Sequence, residues 1–271
     1  MSIYSKNEEI LKRWEVKSKK NKEIDEFVPD GIMYRGELHN CENGIGCEHL
    51  PSKDFKVETE TWENAPMRFL YITKELNAYD GPAWEVRGEV GGRKKMDSYE
   101  VRGQFHRNIV YQLYGLGHTT PKRKVLWNDK EFTDENALKF YDSCAFARIN
   151  VKKQAGKSRI EDNVLTDYMG KYSALLQEQI LNLDADIIVC GGSNGGRNLI
   201  LDFLKENCYR DLTAVMPDNN WIYYSEKYNK IAINSWHPSY FGISSQDFYD
   251  GMITAYFNFL KKNPQFLKSH R

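Results

Sequence analysis

The chain alternates between short apolar runs and longer segments in which apolar residues form a stripe. Residues 69–73 form an uncharged run of apolar, aromatic and β-branched side chains, which is typical of a strand buried in a parallel sheet. Similar runs predict strands at 145–151, 186–190 and 230–234, with shorter strands at 213–216 and 221–225.

Between these runs, apolar residues recur every three or four positions, which predicts amphipathic helices. The clearest helix is predicted at 161–183, where leucine, isoleucine and tyrosine side chains share one face. A second helix is expected to begin near Tyr99 and to end at Gly115 and Gly117, because glycine is favoured where helices stop. Further helices are predicted at 8–17, 131–141, 197–207 and 246–261.

Strands that alternate with helices imply a parallel sheet that is covered on both faces. We therefore predict an α/β fold with three layers, α/β/α, around a central, mostly parallel sheet. The polar, Lys- and Glu-rich residues 1–60 are interpreted as an N-terminal extension that packs on the main domain, residues 61–271.

Composition narrows the class of protein further. The chain has 271 residues, 41% hydrophobic and 28% charged, which is typical of a folded globular protein. Its basic and acidic residues balance at 38 each, which argues against a polybasic nucleic-acid binder but not against a local basic groove. Because no apolar run has membrane-spanning length and the N-terminus lacks a signal-peptide pattern, we expect a cytoplasmic protein without a membrane partner.

The five cysteines, an odd number, predict free thiols rather than a disulfide framework. His39, Cys41, Cys47 and His49 place four possible zinc ligands within eleven residues. Structural zinc sites usually space paired cysteines by two to four residues, and the gap here is five. We predict no metal, and leave open whether these four residues bind one.

A glycine-rich segment at 191–196 follows a predicted strand and precedes a predicted helix, as in dinucleotide-binding sites. However, Ser193 takes the place of the second glycine of the G-x-G-x-x-G pattern, and a P-loop lysine is missing. We therefore expect no nucleotide cofactor.

Polar side chains follow three of the predicted strands at the point where each strand ends. Glu75 and Asn77 follow the first strand, Asn150 ends the second, and His237 follows the last. Because loops beyond the carboxyl ends of parallel strands face the ligand crevice, an acid, an amide and an imidazole are expected in one pocket. The alternative is that these are solvated strand ends and a structural histidine.

These residues stand in segments that resemble the uracil-DNA glycosylase superfamily, over roughly residues 67–260. The strand followed by Lys-Glu-Leu-Asn-Ala (74–78) is similar to the first motif of the superfamily, in which a strand ends in a Gly-Glu-Ala-Pro-Gly type of turn. Ala-Arg-Ile-Asn-Val-Lys-Lys (147–153) resembles the Thr-Asn-Val-Val-Lys strand end of the iron-sulfur branch. Trp-His-Pro-Ser (236–239) resembles the second motif, His-Pro-Ser.

A second alignment matches Tyr-Asp-Gly-Pro (79–82) to the Tyr-His-Gly-Pro of the classical branch. Asn77 then takes the place of the water-activating aspartate, as an asparagine does in the single-strand-selective branch. Two departures stand out: Lys74 replaces the usual motif glycine, and the cysteines do not match an iron-sulfur pattern. We predict no cluster and no other cofactor.

The resemblance implies a DNA glycosylase that flips out a damaged base, with uracil as the first candidate, and hydrolyses its N-glycosidic bond. It assigns catalytic roles to Glu75, Asn77, Asp80 and His237, with Glu75 or Asp80 positioning water and His237 donating a hydrogen bond to the base. Asn150 would read the edge of the base.

Further residues are expected to contact the base and the DNA. Tyr99 or Trp84 would stack on the flipped base. Ser239, Tyr240 and Phe241 lie in the loop that normally wedges into DNA, and Lys152 and Lys153 are expected to hold phosphates.

The expected partner is DNA, single- or double-stranded, bound by a monomer. Two alternatives remain: a catalytically silent protein that binds nucleic acid or a nucleobase-like ligand, and a hydrolase of free nucleosides.

Overall fold

A computed structural model describes residues 2–23, 25–41, 46–76, 85–156, 160–193, 196–216 and 219–268 of the chain. The helices are α1 (Ile3–Lys20), α2 (Lys56–Glu63), α3 (Gln104–His118), α4 (Asp134–Ser143), α5 (Asp162–Leu183), α6 (Leu199–Phe203), α7 (Ser245–Lys262) and α8 (Gln265–Lys268). The strands are β1 (Gly31–Ile32), β2 (Leu38–Asn40), β3 (Cys47–His49), β4 (Arg68–Thr73), β5 (Ala145–Asn150), β6 (Ile187–Ser193), β7 (Thr213–Met216), β8 (Asn219–Ser225) and β9 (Lys230–Trp236).

Seven strands form the central sheet, in the order β1-β5-β4-β6-β9-β8-β7. The four strands in the middle, β5, β4, β6 and β9, are parallel, whereas β1, β8 and β7 run antiparallel to their neighbours. Strands β2 and β3 form a separate hairpin. The predicted α/β fold with a mostly parallel central sheet is thereby confirmed.

Two hydrophobic clusters cover the faces of this sheet. Successive side chains of a strand point to opposite faces. Accordingly, Leu70 and Ile72 of β4 belong to a cluster with residues of α1 and α5, whereas Phe69 and Tyr71 belong to a cluster with residues of α3 and α7. The sheet therefore lies between two helical layers. None of the described helices is both long enough and apolar enough to cross a bilayer.

The first sixty residues, interpreted as an extension, contribute to this same core and sheet. Trp14 of α1 is fully buried, and its indole Nε1 donates a hydrogen bond to the Tyr168 hydroxyl on α5 (3.1 Å). Strand β1 pairs with β5 through Gly31 opposite Arg148 and Ile32 opposite Ala147. This opening segment therefore reaches the strand that ends in Asn150.

Helix α3 differs from its prediction at both ends. It begins at Gln104 rather than near Tyr99, and it continues through Gly115 and Gly117 to His118. A Cβ on Gly115 would lie 2.7 Å from side-chain atoms of α7, and one on Gly117 would collide with Phe140. The prediction that these glycines end the helix is wrong, because they serve close helix packing instead.

Candidate active site at the carboxyl edge of the sheet

The carboxyl ends of the four parallel strands meet at one edge of the sheet. Thr73 at the end of β4 lies opposite Asn150 at the end of β5, and Ser193 at the end of β6 lies opposite Trp236 of β9. Neighbouring strands are about 4.8 Å apart, so the ends of β4 and β9 are separated by roughly 10 Å across β6. Side chains that follow these strands can therefore reach a common space.

Glu75 follows β4 and is buried, with 8% of its side chain exposed. Its Oε2 pairs with Lys152 Nζ at 3.0 Å, and the same ammonium donates a hydrogen bond to the Gln154 carbonyl (2.9 Å). Burial raises the pKa of Glu75 above its ordinary value, although the charge of Lys152 opposes the rise. Ionisable groups whose pKa is shifted by burial and by a specific charge partner are concentrated at functional sites, so Glu75 is a candidate site residue.

Gly156 lies directly against this carboxylate. Its backbone N–H donates to the Leu76 carbonyl at 2.8 Å, which folds residues 151–156 over the end of β4. A Cβ at this position would collide with the carboxylate of Glu75. The glycine therefore provides the room that the acid occupies.

His237 follows β9 with its ring held in one tautomer. The backbone N–H of Ser239 donates to Nδ1 at 3.2 Å, so the neutral ring carries its hydrogen on Nε2. Burial lowers the pKa of His237 to about 4, and the charges of Arg148 and Lys74 add to the effect. The imidazole is consequently a neutral hydrogen-bond donor near pH 7.

Lys74 links the acid and the imidazole electrostatically. Burial is the main cause of the lowered pKa of His237, and the positive charges of Arg148 and Lys74 lower it further. Burial raises the pKa of Glu75, and the charges of Lys152 and Lys74 oppose that rise. Its ammonium pairs with Asp162 Oδ1 at 3.1 Å. One charged group thus acts on two residues that lie far apart in the sequence.

Asn150 is buried at the end of β5 with its carboxamide oriented by a neighbour. Its Oδ1 accepts a hydrogen bond from the Thr73 hydroxyl (2.6 Å), and its backbone N–H donates to Asp30 Oδ2 (2.8 Å). Within the described part of the chain, its Nδ2 has no hydrogen-bond partner. This amide can donate to a ligand.

The loop after His237 protrudes from the sheet edge. Ser239 is exposed, Tyr240 stacks on Trp236 (ring centroids 5.9 Å apart, interplanar angle 13°), and Phe241 is 91% exposed. Hydrogen bonds from Asn108 and Gln104 of α3 to the carbonyls of Pro238 (2.6 Å) and Tyr240 (2.8 Å) secure the loop. Contact of this loop with DNA stays a prediction.

Lys153 and Tyr99 lie in positions that do not suit their predicted roles. The Lys153 side chain is 0% exposed and pairs with Asp30, so it cannot reach a phosphate in this structure. Lys152 also points inward, towards Glu75. Tyr99 is 43% exposed on the surface, between the cationic groups of Arg93 (5.6 Å) and Lys139 (5.4 Å), rather than in contact with Glu75 or His237. The predictions for Asn77, Asp80 and Trp84 fall outside the described residues.

The hairpin β2–β3 separates the four possible zinc ligands. His39 lies opposite Glu48, so Cys47 and His49 point to the other face of the hairpin. Cys47 Sγ contacts the Arg93 carbonyl (3.6 Å), and His49 Nε2 lies 3.6 Å from Asp142. The described residues contain no cluster of His, Cys, Asp and Glu side chains that could hold a metal.

Sequence reasoning missed several contributors to the site, among them Arg148, Asp30 and Gly156. Arg148 is buried on β5, where its Nη1 pairs with Glu89 and its guanidinium lies 4.6 Å from the Phe105 ring. The signal that could have revealed it is a charge inside an otherwise apolar strand. Asp30 and Gly156 carry no comparable local signal, because their partners come from distant parts of the chain.

The carboxyl edge thus offers a buried carboxylate, a neutral imidazole donor and an amide donor. Such a set can stabilise a developing cation on one side of a bond and a developing anion on the other. No protein-family model, no curated protein and no solved structure matches this chain. The function is therefore inferred from the geometry of this edge.

Proposed function

We propose that the chain is a DNA glycosylase-like hydrolase that flips out a damaged base, uracil being the first candidate, and hydrolyses its N-glycosidic bond. The observation that carries the proposal is that Glu75, whose pKa burial raises, and a neutral His237 follow parallel strands at the same edge of the sheet. Lys74 acts on the pKa of both groups, which supports a shared site.

The reaction breaks the bond between C1′ of the sugar and a ring nitrogen of the base. Positive charge develops on the sugar and negative charge on the departing base. The Glu75 carboxylate stabilises the sugar cation and orients the water whose oxygen bonds to C1′, while the water proton passes to the carboxylate. His237 Nε2–H donates to the base oxygen as negative charge grows there.

Asn150 selects the base through its carboxamide. Because Thr73 occupies Oδ1, the free Nδ2 hydrogens are directed at a carbonyl oxygen of the ligand. A base that presents a hydrogen-bond donor at that edge is disfavoured, since two donors would face each other. A pyrimidine carbonyl is the matching group.

Access to a base in DNA requires that the base leave the stack, at a cost of a few kcal/mol. Phe241 is the exposed aromatic side chain beside His237. In this proposal its ring fills the space that the flipped base vacates. The neutral overall charge implies modest affinity for the backbone, which falls as the salt concentration rises.

An abasic-site assay tests the proposal. Uracil-containing oligonucleotides, single- and double-stranded, are incubated with the protein, treated with alkali and resolved by length, with thymine-containing oligonucleotides as the control substrate. We expect cleavage at uracil by the wild-type chain and cleavage about 10²- to 10⁴-fold slower by the Glu75→Gln variant. Absence of cleavage by the wild type would remove the uracil assignment.

A second candidate is a catalytically silent protein that binds nucleic acid or a nucleobase-like ligand. The ion pair between Lys152 and Glu75 favours it, because the ammonium neutralises the acid that hydrolysis requires. This candidate predicts salt-dependent DNA binding without turnover. If the protein only binds, Glu75→Gln leaves the affinity for DNA unchanged and there is no base release to lose. If the protein is a glycosylase, the same substitution strongly slows base release.

A further inference from the structure

A cleft opens at the carboxyl edge of the sheet, next to the strand end that His237 follows. It has a volume of about 270 Å³ and lies between the end of β6, the end of β9 and the start of β8. Trp236, the residue directly before His237, forms part of its wall. The described lining residues are Ser193, Gly196, Asn220, Trp221, Asn234 and Trp236.

The lining favours a planar, uncharged occupant. All six described lining residues are uncharged, so a phosphate would find no counter-ion among them. Two indoles meet edge to face in this wall, those of Trp221 and Trp236, with centroids 5.0 Å apart at 86°. Asn234 Oδ1 accepts a hydrogen bond from Asn198 (2.9 Å), which orients the carboxamide. Aromatic faces and amides are the groups that bind nucleobases.

The volume of the cleft, about 270 Å³, is sufficient for one planar base. It lies just below the range of about 300–1,000 Å³ that is typical of small-molecule sites.

Aromatic rings continue from this cleft to the protruding loop. Trp236 stacks with Tyr240, and Tyr240 stacks with Phe241 (6.3 Å, 29°), whose outer side is exposed. Exposed aromatic faces bind unpaired bases with little regard to sequence, and Phe241 offers such a face at the end of this row of rings. A base inside a duplex is held by its own base pair, so the base next to the target could enter a separate cleft only if a second pair were broken, at a further cost of a few kcal/mol.

We propose that this cleft, the flanking-base cleft, binds the base next to the one excised, so that the substrate is single-stranded nucleic acid. This inference rests on the proposed function, because the neighbouring base reaches the cleft only when the target base occupies the site at His237. It assigns substrate recognition to Trp221, Asn234 and Trp236.

Gly196 offers a way to fill the cleft without disturbing the fold. Gly196 lines the cleft and a Cβ at this position would meet no atom within 4 Å, so Gly196→Leu adds bulk at the cleft without a clash at its Cβ. Gly170 on the exposed side of α5 likewise has no atom within 4 Å of a Cβ, and Gly170→Leu is the matched control.

The experiment measures oligonucleotide affinity by fluorescence anisotropy in the Glu75→Gln background, which slows turnover. The probe is a single-stranded oligonucleotide with one uracil, in which each flanking base in turn is replaced by an abasic spacer. We expect a spacer at one flanking position to weaken binding at least fivefold. Gly196→Leu should weaken binding of the complete strand similarly and abolish the sensitivity to the spacer, whereas Gly170→Leu should change neither.

The outcomes separate this inference from the proposed function. If single-stranded uracil DNA is bound and cleaved, but no spacer position matters or Gly196→Leu behaves like its control, the flanking-base cleft is wrong and the glycosylase proposal stands. Equal affinity for a matched duplex would also overturn the single-strand assignment. If no oligonucleotide is bound or cleaved, both proposals fail.

Discussion

Lys152 and Lys153 are consecutive in the sequence, yet they belong to different parts of the molecule. Lys152 Nζ pairs with Glu75 at the carboxyl edge of the sheet, and its side chain is 12% exposed. Lys153 points into the protein, where its ammonium donates to Asp30, Asn150 and Gln179 and lies 4.8 Å from the Trp14 ring.

The ion pairs Lys152–Glu75 and Lys153–Asp30 differ in how well their surroundings satisfy the buried charges. The buried ammonium of Lys153 is surrounded by acceptors, although burial lowers its pKa and the charge of Asp30 works against that. Among the described residues, Glu75 has one cationic partner within 4 Å, Lys152, and the effect of burial exceeds the effect of this charge, so that the pKa of Glu75 is raised. We therefore expect the first pair to control stability and the second to control activity.

The largest expected effect follows from breaking the buried pair. Asp30→Asn leaves the Lys153 charge without a counter-ion, so the free energy of unfolding should fall by about 3–5 kcal/mol. Urea denaturation monitored by circular dichroism measures it. Asp25→Asn is the matched control, because Asp25 is exposed and lies 3.9 Å from Lys152. If Asp30→Asn lowers the free energy of unfolding by less than about 1 kcal/mol, the buried pair stabilises the fold no more than an exposed ion pair does.

Gly156→Ala should affect activity next most strongly. Its added methyl group collides with the Glu75 carboxylate and displaces it, and a misplacement of about 1 Å can cost about 10²-fold in rate. Single-turnover release of base measures the change. Gly170→Ala, on the exposed side of α5, should leave the rate as it is. If Gly156→Ala released base at the wild-type rate, the placement of the Glu75 carboxylate would not control the reaction.

Glu75→Gln should alter stability little, in contrast to Asp30→Asn. Because burial raises the pKa of Glu75 in the folded state, its ionisation opposes folding, and its contribution to stability is lost as pH rises through that pKa. At pH 7 the Gln variant is expected to be as stable as the wild type or more stable. Thermal unfolding at pH 5 and pH 7 measures this. A marked loss of stability in Glu75→Gln at pH 7 would show that the ion pair between Lys152 and Glu75 supports the fold.

The smallest expected effect is the response of His237 to pH. Its pKa of about 4 lies below the ordinary value of 6.5, so the unfolded chain binds this proton first and stability rises with pH between those values. Base release that depends on neutral His237 should therefore show no loss from this group between pH 8 and 5. An NMR titration of the ring measures its pKa, and a midpoint near 6.5 would contradict the buried environment.

The elements of the sheet could be predicted because their signals are local. The apolar runs predicted strands β4, β5, β6 and β9. The apolar stripe at 161–183 predicted helix α5, Asp162–Leu183, to within one residue. The placement of Glu75, Asn150 and His237 after parallel strands followed from the same runs, since carboxyl ends of parallel strands share one edge.

What could not be predicted depends on partners distant in the sequence. Lys152 and Lys153 look alike in a basic segment, and only the packing of α1 and Asp30 separates them. Gly115 and Gly117 have the local signature of a helix end, but their space is taken up by α7 and Phe140. The difference between the two ion pairs could not be predicted either, because Glu75 and Asp30 are distant from both lysines in the sequence.

In the proposed reaction, the carboxyl edge hydrolyses an N-glycosidic bond with Glu75 as its acid. The most direct measurement is the amount of free uracil that wild-type protein and the Glu75→Gln variant release from one single-stranded oligonucleotide, with binding measured in parallel. We predict release by the wild type and, from a variant that still binds the strand, a rate about 10²- to 10⁴-fold lower. Equal release by both proteins, or none by the wild type, would contradict the account.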